Sequence, residues 1–302
     1  MADGAVVDAE RPAPVAAAPL DPRRAVLKWW PAIVGYAALA IPTIATLSGR
    51  AWARESAAHG PLVLVTGAWL LWRQMTAAHG EAKRGSPWIS APLLIASLAL
   101  YLVGRVFDFA SFEAAGLLGV GVTMLYDVFG ASVMLKNWFP VFYLAFAIPP
   151  PGSMIDRVTA PLKQFVSEAA MRTAHVLGIP ASREGVTIYV SKYQLLMEDA
   201  CSGMNSLVGL TAISLLYIYL LRGSSVRYSL LMTAFVIPIA IVGNIMRVVI
   251  LILLTYFGGD ELAQGFLHYT AGFLLFGLDL IIVFAVDSAL MRVVPRSWTP
   301  AR

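Results

Sequence analysis

Long apolar runs, separated by short polar or turn-forming stretches, recur along most of the chain. Eight of them, at about 29–48, 61–77, 88–104, 109–126, 132–149, 205–221, 229–257 and 266–291, approach or exceed the ~18 mostly apolar residues that carry a helix across a bilayer. The second carries Arg73 near its end, and the fourth is short of large side chains. The pattern predicts an all-α polytopic membrane protein of about eight transmembrane helices.

One long segment, 150–204, breaks the rhythm. It opens with "IPPPGSMIDR", whose prolines cannot continue the helix before them. In "APLKQFVSEAAMRTAHVLGI", 160–179, the apolar residues Leu162, Phe165, Val166, Ala169 and Ala170 recur at helical spacing. Lys163, Gln164, Ser167 and Glu168 occupy the other faces. This predicts an amphipathic helix lying on the membrane surface or against the bundle. The β-branched and aromatic stretch 184–200, with Ser191-Lys192 at its centre, predicts a short hairpin leading into the sixth span.

Composition agrees with a membrane class. Apolar residues make up 59% of the chain, charged residues 13%, and mean hydropathy is +0.73. Soluble domains carry roughly a quarter charged residues. The net charge of +4 suggests no nucleic-acid partner, because the basic residues cluster where cytoplasmic loops are expected and no basic-aromatic patch is present. Arg23, Arg24 and Lys28 precede the first span and place the N-terminus in the cytoplasm. With eight spans, Arg73, Lys83 and Arg84, then Arg222 and Arg227, then Arg292, Arg296 and Arg302 all fall on that same side. Arg50, Arg54 and Arg105 are the exceptions. Segment 150–204 then faces outward. The expected organisation is a disordered cytoplasmic tail over 1–24, an N-terminal transmembrane region over 25–130, a membrane core over 131–292, and a second cytoplasmic tail over 293–302.

Chemistry concentrates in the last three spans. Cys201, in "EDACSGMNSL", is the single cysteine, so no intrachain disulfide or multi-cysteine metal site is possible, and no metal or cofactor is expected. It sits at the outer mouth of the sixth span, where unpaired helix N–H groups favour a thiolate. Gly203 beside it lets a substrate backbone approach closely. Arg247 lies within the seventh span, with Asn244 three residues earlier on the same face and Pro238 further back. The plain alternative is an arginine satisfied by Asn244 and backbone carbonyls. His268 opens the eighth span, where an interfacial histidine bonded to a loop carbonyl is the plain alternative. His59, His79 and His175 have no evident chemistry, and Asp287 with Arg292 reads as an ordinary structural pair. Consecutive spans pack together, so Cys201, Arg247 and His268 are expected to share one outward pocket. A thiol, an imidazole that exchanges its proton and a fixed cation facing an oxyanion are the components of acyl transfer.

These residues resemble the exosortase/archaeosortase family of polytopic membrane cysteine transpeptidases. "FPVFYLAFAIPPPG", "LGIPASREG", "EDACSGMNSL", "NIMR" and "LHYTAG" follow one another in the family's order. The resemblance implies Cys201 as nucleophile, Arg247 as transition-state stabiliser and His268 as acid/base, with Ser202, Gly203, Asn244 and Glu184 in supporting or substrate-binding roles. It also implies a multi-pass protein of the bacterial inner membrane with its active site facing the periplasm. Its partners would be the lipid bilayer and exported proteins bearing a C-terminal sorting signal: a Pro-Glu-Pro-type motif, a transmembrane helix and a basic cluster. Many members carry an acidic residue after the histidine, where Tyr269 stands here, and an arginine where Asn205 stands. The competing expectation is a transporter or polysaccharide-export component with Arg247 and His268 lining a substrate path. No internal repeat of the kind transporters show is visible. A structural scaffold, indifferent to loss of Cys201, is the third.

Overall fold

The computed structural model describes residues 22–53, 59–149, 151–184, 187–190, 193–196, 203–222, 226–259 and 266–293. Five of its helical stretches, Trp29–Ala51, Pro87–Val106, Ala110–Lys136, Arg227–Gly258 and Leu274–Val293, are long and apolar enough to cross a bilayer. Val208–Leu221 is a shorter apolar helix. The molecule is an all-α membrane protein carrying one small sheet.

Helix α1 (Pro22–Thr46) runs on through a π-turn, Leu47–Ala51, and is followed by α2 (Gly60–Ala77), α3 (Pro87–Val106) and α4 (Ala110–Lys136). Helices α3 and α4 approach each other closely, and small residues explain it. A side chain at Gly104 or Gly116 would collide with the α4 or α3 backbone opposite, and one at Gly119 with Ser97. The shortage of large side chains in the fourth apolar run therefore serves close backbone approach, as is common between membrane helices.

The two described outer arginines that break the charge rule are both ion-paired. Arg50 meets Asp108 at 2.8 Å, and Arg105 meets Glu113 at 3.1 Å. Glu113 is buried and also accepts from Thr43 Oγ1 at 2.8 Å, tying α4 to α1.

The sequence pattern anticipates separate spans over 109–126 and 132–149, and the backbone divides this region differently. α4 continues to Lys136, kinked at Gly130, where φ is +74° and ψ 174°. A Cβ at Gly130 would strike the carbonyl oxygen of Lys83. After Asn137 comes a six-residue helix, α5 (Phe139–Leu144), then a 3₁₀ turn, Ala145–Ala147. Pro140 suits the start of α5, and the prolines after Ile148 stop any continuation. This short piece packs against α2. At one end Phe139 stacks on Tyr219, with ring centres 3.9 Å apart, and Gln74 near the end of α2 donates to the Tyr219 hydroxyl. At the other end Trp52 Nε1 donates to the Ala147 carbonyl at 3.1 Å.

Helix α6 (Gly152–Val176) begins eight residues before the predicted 160 and contains Pro161. Its inward stripe is Val166, Ala170 and Ala174, all fully buried, whereas Phe165 is 58% exposed and lies off that stripe. The expected hairpin is a three-stranded antiparallel sheet: β1 (Ala181–Glu184), β2 (Thr187–Val190) and β3 (Tyr193–Leu196). Val190 of β2 pairs with Tyr193 of β3, and Ser191-Lys192, expected at the centre of the hairpin, lie outside the described residues. Three long helices complete the chain: α7 (Gly203–Arg222), α8 (Val226–Gly258) and α9 (Phe266–Val293). Each of these packs against the other two. The α6 stripe joins Ile188 and Val190 of β2 against Val248, Leu251 and Ile252 of α8 in one apolar core.

Candidate active site

Helix α8 owes its position to a continuous buried stripe. Met232, Val236, Ala240, Val248, Leu251 and Ile252 are all at most 4% exposed. Two polar side chains interrupt it: Asn244 at 4% exposure and Arg247 at 8%. Arg247 stands eleven residues before the helix end at Gly258, about 16 Å along the axis at 1.5 Å per residue. A guanidinium held this deep in an apolar helix is costly, which makes Arg247 a candidate functional residue. Among the described residues neither amide atom of Asn244 has a hydrogen-bond partner, so Asn244 does not hold Arg247.

The last helix presents carboxylates to the same core. Leu275, Asp279, Val283 and Asp287 recur every four residues and are all buried. Asp279 rests on Gly243, where any side chain would collide with its carboxyl oxygens. Asp287 is completely buried and accepts hydrogen bonds from Tyr217 Oη at 2.9 Å and Tyr228 Oη at 2.5 Å. That arrangement replaces the expected pairing with Arg292. The residues involved lie 59 and 70 positions apart, beyond the reach of local pattern.

Among the other expected site residues, Gly203 is the first residue of α7. Cys201 and Ser202, just before it, lie outside the described residues. His268 is the third residue of α9. It precedes Leu275 by seven positions and Asp279 by eleven, and therefore occupies the same helical register. The helices that follow Cys201, carry Arg247 and begin at His268 are thus mutually packed. Glu184 ends β1, exposed and paired in register with Thr187, on the sheet whose β2 strand packs against α8.

His59 is a residue the sequence left without a role. Its Nε2 lies 3.2 Å from the Phe146 carbonyl, and its Cβ faces Gly209 of α7. Burial pushes its imidazole pKa down from the ordinary value, with the Phe146 carbonyl partly opposing the shift. Nothing in the local sequence signals this contact, which joins residues 87 positions apart.

A family model described as transmembrane exosortase (Exosortase_EpsH) matches residues 52–285. The chain belongs to the transmembrane exosortase family. No curated protein and no solved structure matches it. The matched part of this exosortase starts at Trp52 and so includes α2, α3 and α4 as well as the later helices. It also contains Glu184, Cys201, Asn244, Arg247 and His268.

Proposed function

We propose that this exosortase is an integral-membrane cysteine endopeptidase/transpeptidase acting on the C-terminal sorting signals of exported proteins. The observation that carries the reading is Arg247. It is buried on α8, and α8 packs against both the helix that follows Cys201 and the helix that begins near His268. Basic residues at or just beyond the C-terminal ends of α7 and α9, Arg222 and Arg227, then Arg292, Arg296 and Arg302, support a cytoplasmic side for those ends and a site facing the periplasm of a bacterial inner membrane.

In this reading His268 takes the proton of Cys201, and the thiolate sulfur attacks a peptide carbonyl carbon. The carbonyl electron pair moves to oxygen, where the permanent charge of Arg247 offsets the oxyanion. Collapse breaks the C–N bond, His268 protonates the leaving amine, and a thioester remains on Cys201. An acceptor nucleophile or water then displaces the thiolate. Holding the substrate's transmembrane helix in the bilayer keeps its motif beside the nucleophile and lowers the entropic part of the barrier.

The test is co-expression with a tagged protein ending in a Pro-Glu-Pro-type motif, an apolar helix and a basic cluster. Cys201→Ala should abolish its processing, and Arg247→Leu should slow it by about 10²–10³-fold, the scale of a lost oxyanion donor. Processing by Cys201→Ala at the wild-type rate rules the enzyme reading out.

A further inference from the structure

We propose that Asn244 and Asp279 form a niche that binds a backbone peptide unit of the substrate, one helical turn deeper in the bilayer than Arg247. The inference rests on the peptide-processing reading above and assigns Asp279 a place in it.

Three observations converge. First, Asn244 is 4% exposed and Asp279 8% exposed, each within an apolar membrane helix. Polar groups at such a depth are retained at a cost unless something pairs with them. Second, they are unpartnered. Both amide atoms of Asn244 lack a hydrogen bond, and Asp279 makes none with the described residues. Third, both border one stretch of α8. Asp279 lies on Gly243, the residue before Asn244. At about 100° per residue, Arg247 projects about 40° from Gly243 and Asn244 about 100° from it, so all three share one arc of the helix.

The chemistry of the niche selects its ligand. A carboxamide offers one acceptor and two donors side by side, the complement of a peptide C=O and N–H. A carboxylate adds an acceptor for a further N–H and is the stronger of the two partners. Asn244 precedes Arg247 by three residues, about 5 Å along the axis at 1.5 Å per residue. An extended chain advances ~3.3–3.6 Å per residue. A substrate whose scissile carbonyl faces Arg247 therefore brings a peptide unit one or two residues away to Asn244 and Asp279. Gly243 leaves room for the Asp279 carboxylate beside Asn244, because any side chain there would occupy its position.

The experiment uses full-length Cys201→Ala protein in lipid nanodiscs. The probe is a fluorescent synthetic peptide with a Pro-Glu-Pro motif followed by an apolar helix. A matching series is N-methylated at successive backbone amides beside the motif. One N-methyl position should weaken binding about tenfold, and Asp279→Ala should weaken the parent peptide by a similar factor. In the Asp279→Ala protein that N-methyl group should then have no further effect. Asp279→Asn, nearly isosteric, provides a folded control with an intermediate loss. Additive losses from N-methylation and Asp279→Ala overturn the niche while leaving the enzyme reading intact. Sodium-dependent thermal stabilisation that requires Asp279, with unchanged peptide binding, overturns it in favour of a cation site. Failure of the parent peptide to bind overturns the niche. If Cys201→Ala also processes substrate normally in cells, the enzyme reading falls with it.

Discussion

Tyr228, at the start of α8, donates its hydroxyl proton to Asp287 of α9 at 2.5 Å, while Tyr217 of α7 donates to the other carboxyl oxygen at 2.9 Å. One fully buried carboxylate thus fastens the three helices that carry or follow the candidate catalytic residues. Tyr228→Phe removes a single oxygen and leaves that carboxylate short of a donor. The expected loss is about 1–3 kcal/mol, the cost of an unmet buried hydrogen-bonding group. Thermal unfolding in detergent checks it, and an unchanged midpoint would show that the bond is not a fastening.

Gly243→Ala places a methyl group where the Asp279 carboxyl oxygens now lie. The variant should unfold at a lower temperature than wild type. Asp279→Ala in the same chain removes the obstruction, so the double variant should recover most of the lost stability. Two independent, additive losses would sink the steric account.

Gly130→Ala meets two penalties. The position has φ of +74°, a region in which residues with a Cβ are strained, and the added carbon runs into the Lys83 carbonyl. A loss of about 2 kcal/mol is expected, of which about 1 kcal/mol is backbone strain alone. Substitution by alanine at Gly35, which has open space around it, is the comparison and should be close to neutral.

His59 makes stability depend on acidity. Its folded pKa lies below the ordinary 6.5, so as pH falls the unfolded chain takes up the proton first. Stability attributable to this group is complete above about 6.5 and declines as pH drops from there to the folded value. Unfolding midpoints measured at pH 7.5 and 5.5 should differ more for wild type than for His59→Gln, which removes the titrating imidazole. Equal differences in the two proteins would exclude His59 as the source.

Much of the helical framework is readable from hydropathy alone. The apolar run 88–104 corresponds to α3, Pro87–Val106, and 229–257 to α8, Val226–Gly258. The burial of Arg247 is also legible, because its place in the middle of so apolar a run puts the cation deep within a helix. What hydropathy misses depends on distant partners. The kink that carries α4 through 126–132 exists because Gly130 lies against the Lys83 backbone. The 132–149 run reads as one span because apolar content continues through Asn137 and Trp138, although the helix does not. Phe165 fits the amphipathic spacing yet faces outward, since Val166, Ala170 and Ala174 already fill the contact with α8. The exceptions to the charge rule become intelligible only once Asp108 and Glu113 stand beside Arg50 and Arg105.

The core shared by α6, β2 and α8 imposes an order on biosynthesis. Val166 and Ala170 leave the ribosome well before Val248 and Ile252, the residues that cover them. For the time needed to make some eighty residues, the apolar stripe of α6 has the small sheet beside it but lacks the α8 half of its core. A helix with one apolar face rests at a lipid surface in that interval, so the bilayer acts as a temporary holder until α8 arrives. The same membrane that later houses the protein thus serves first as its assembly jig.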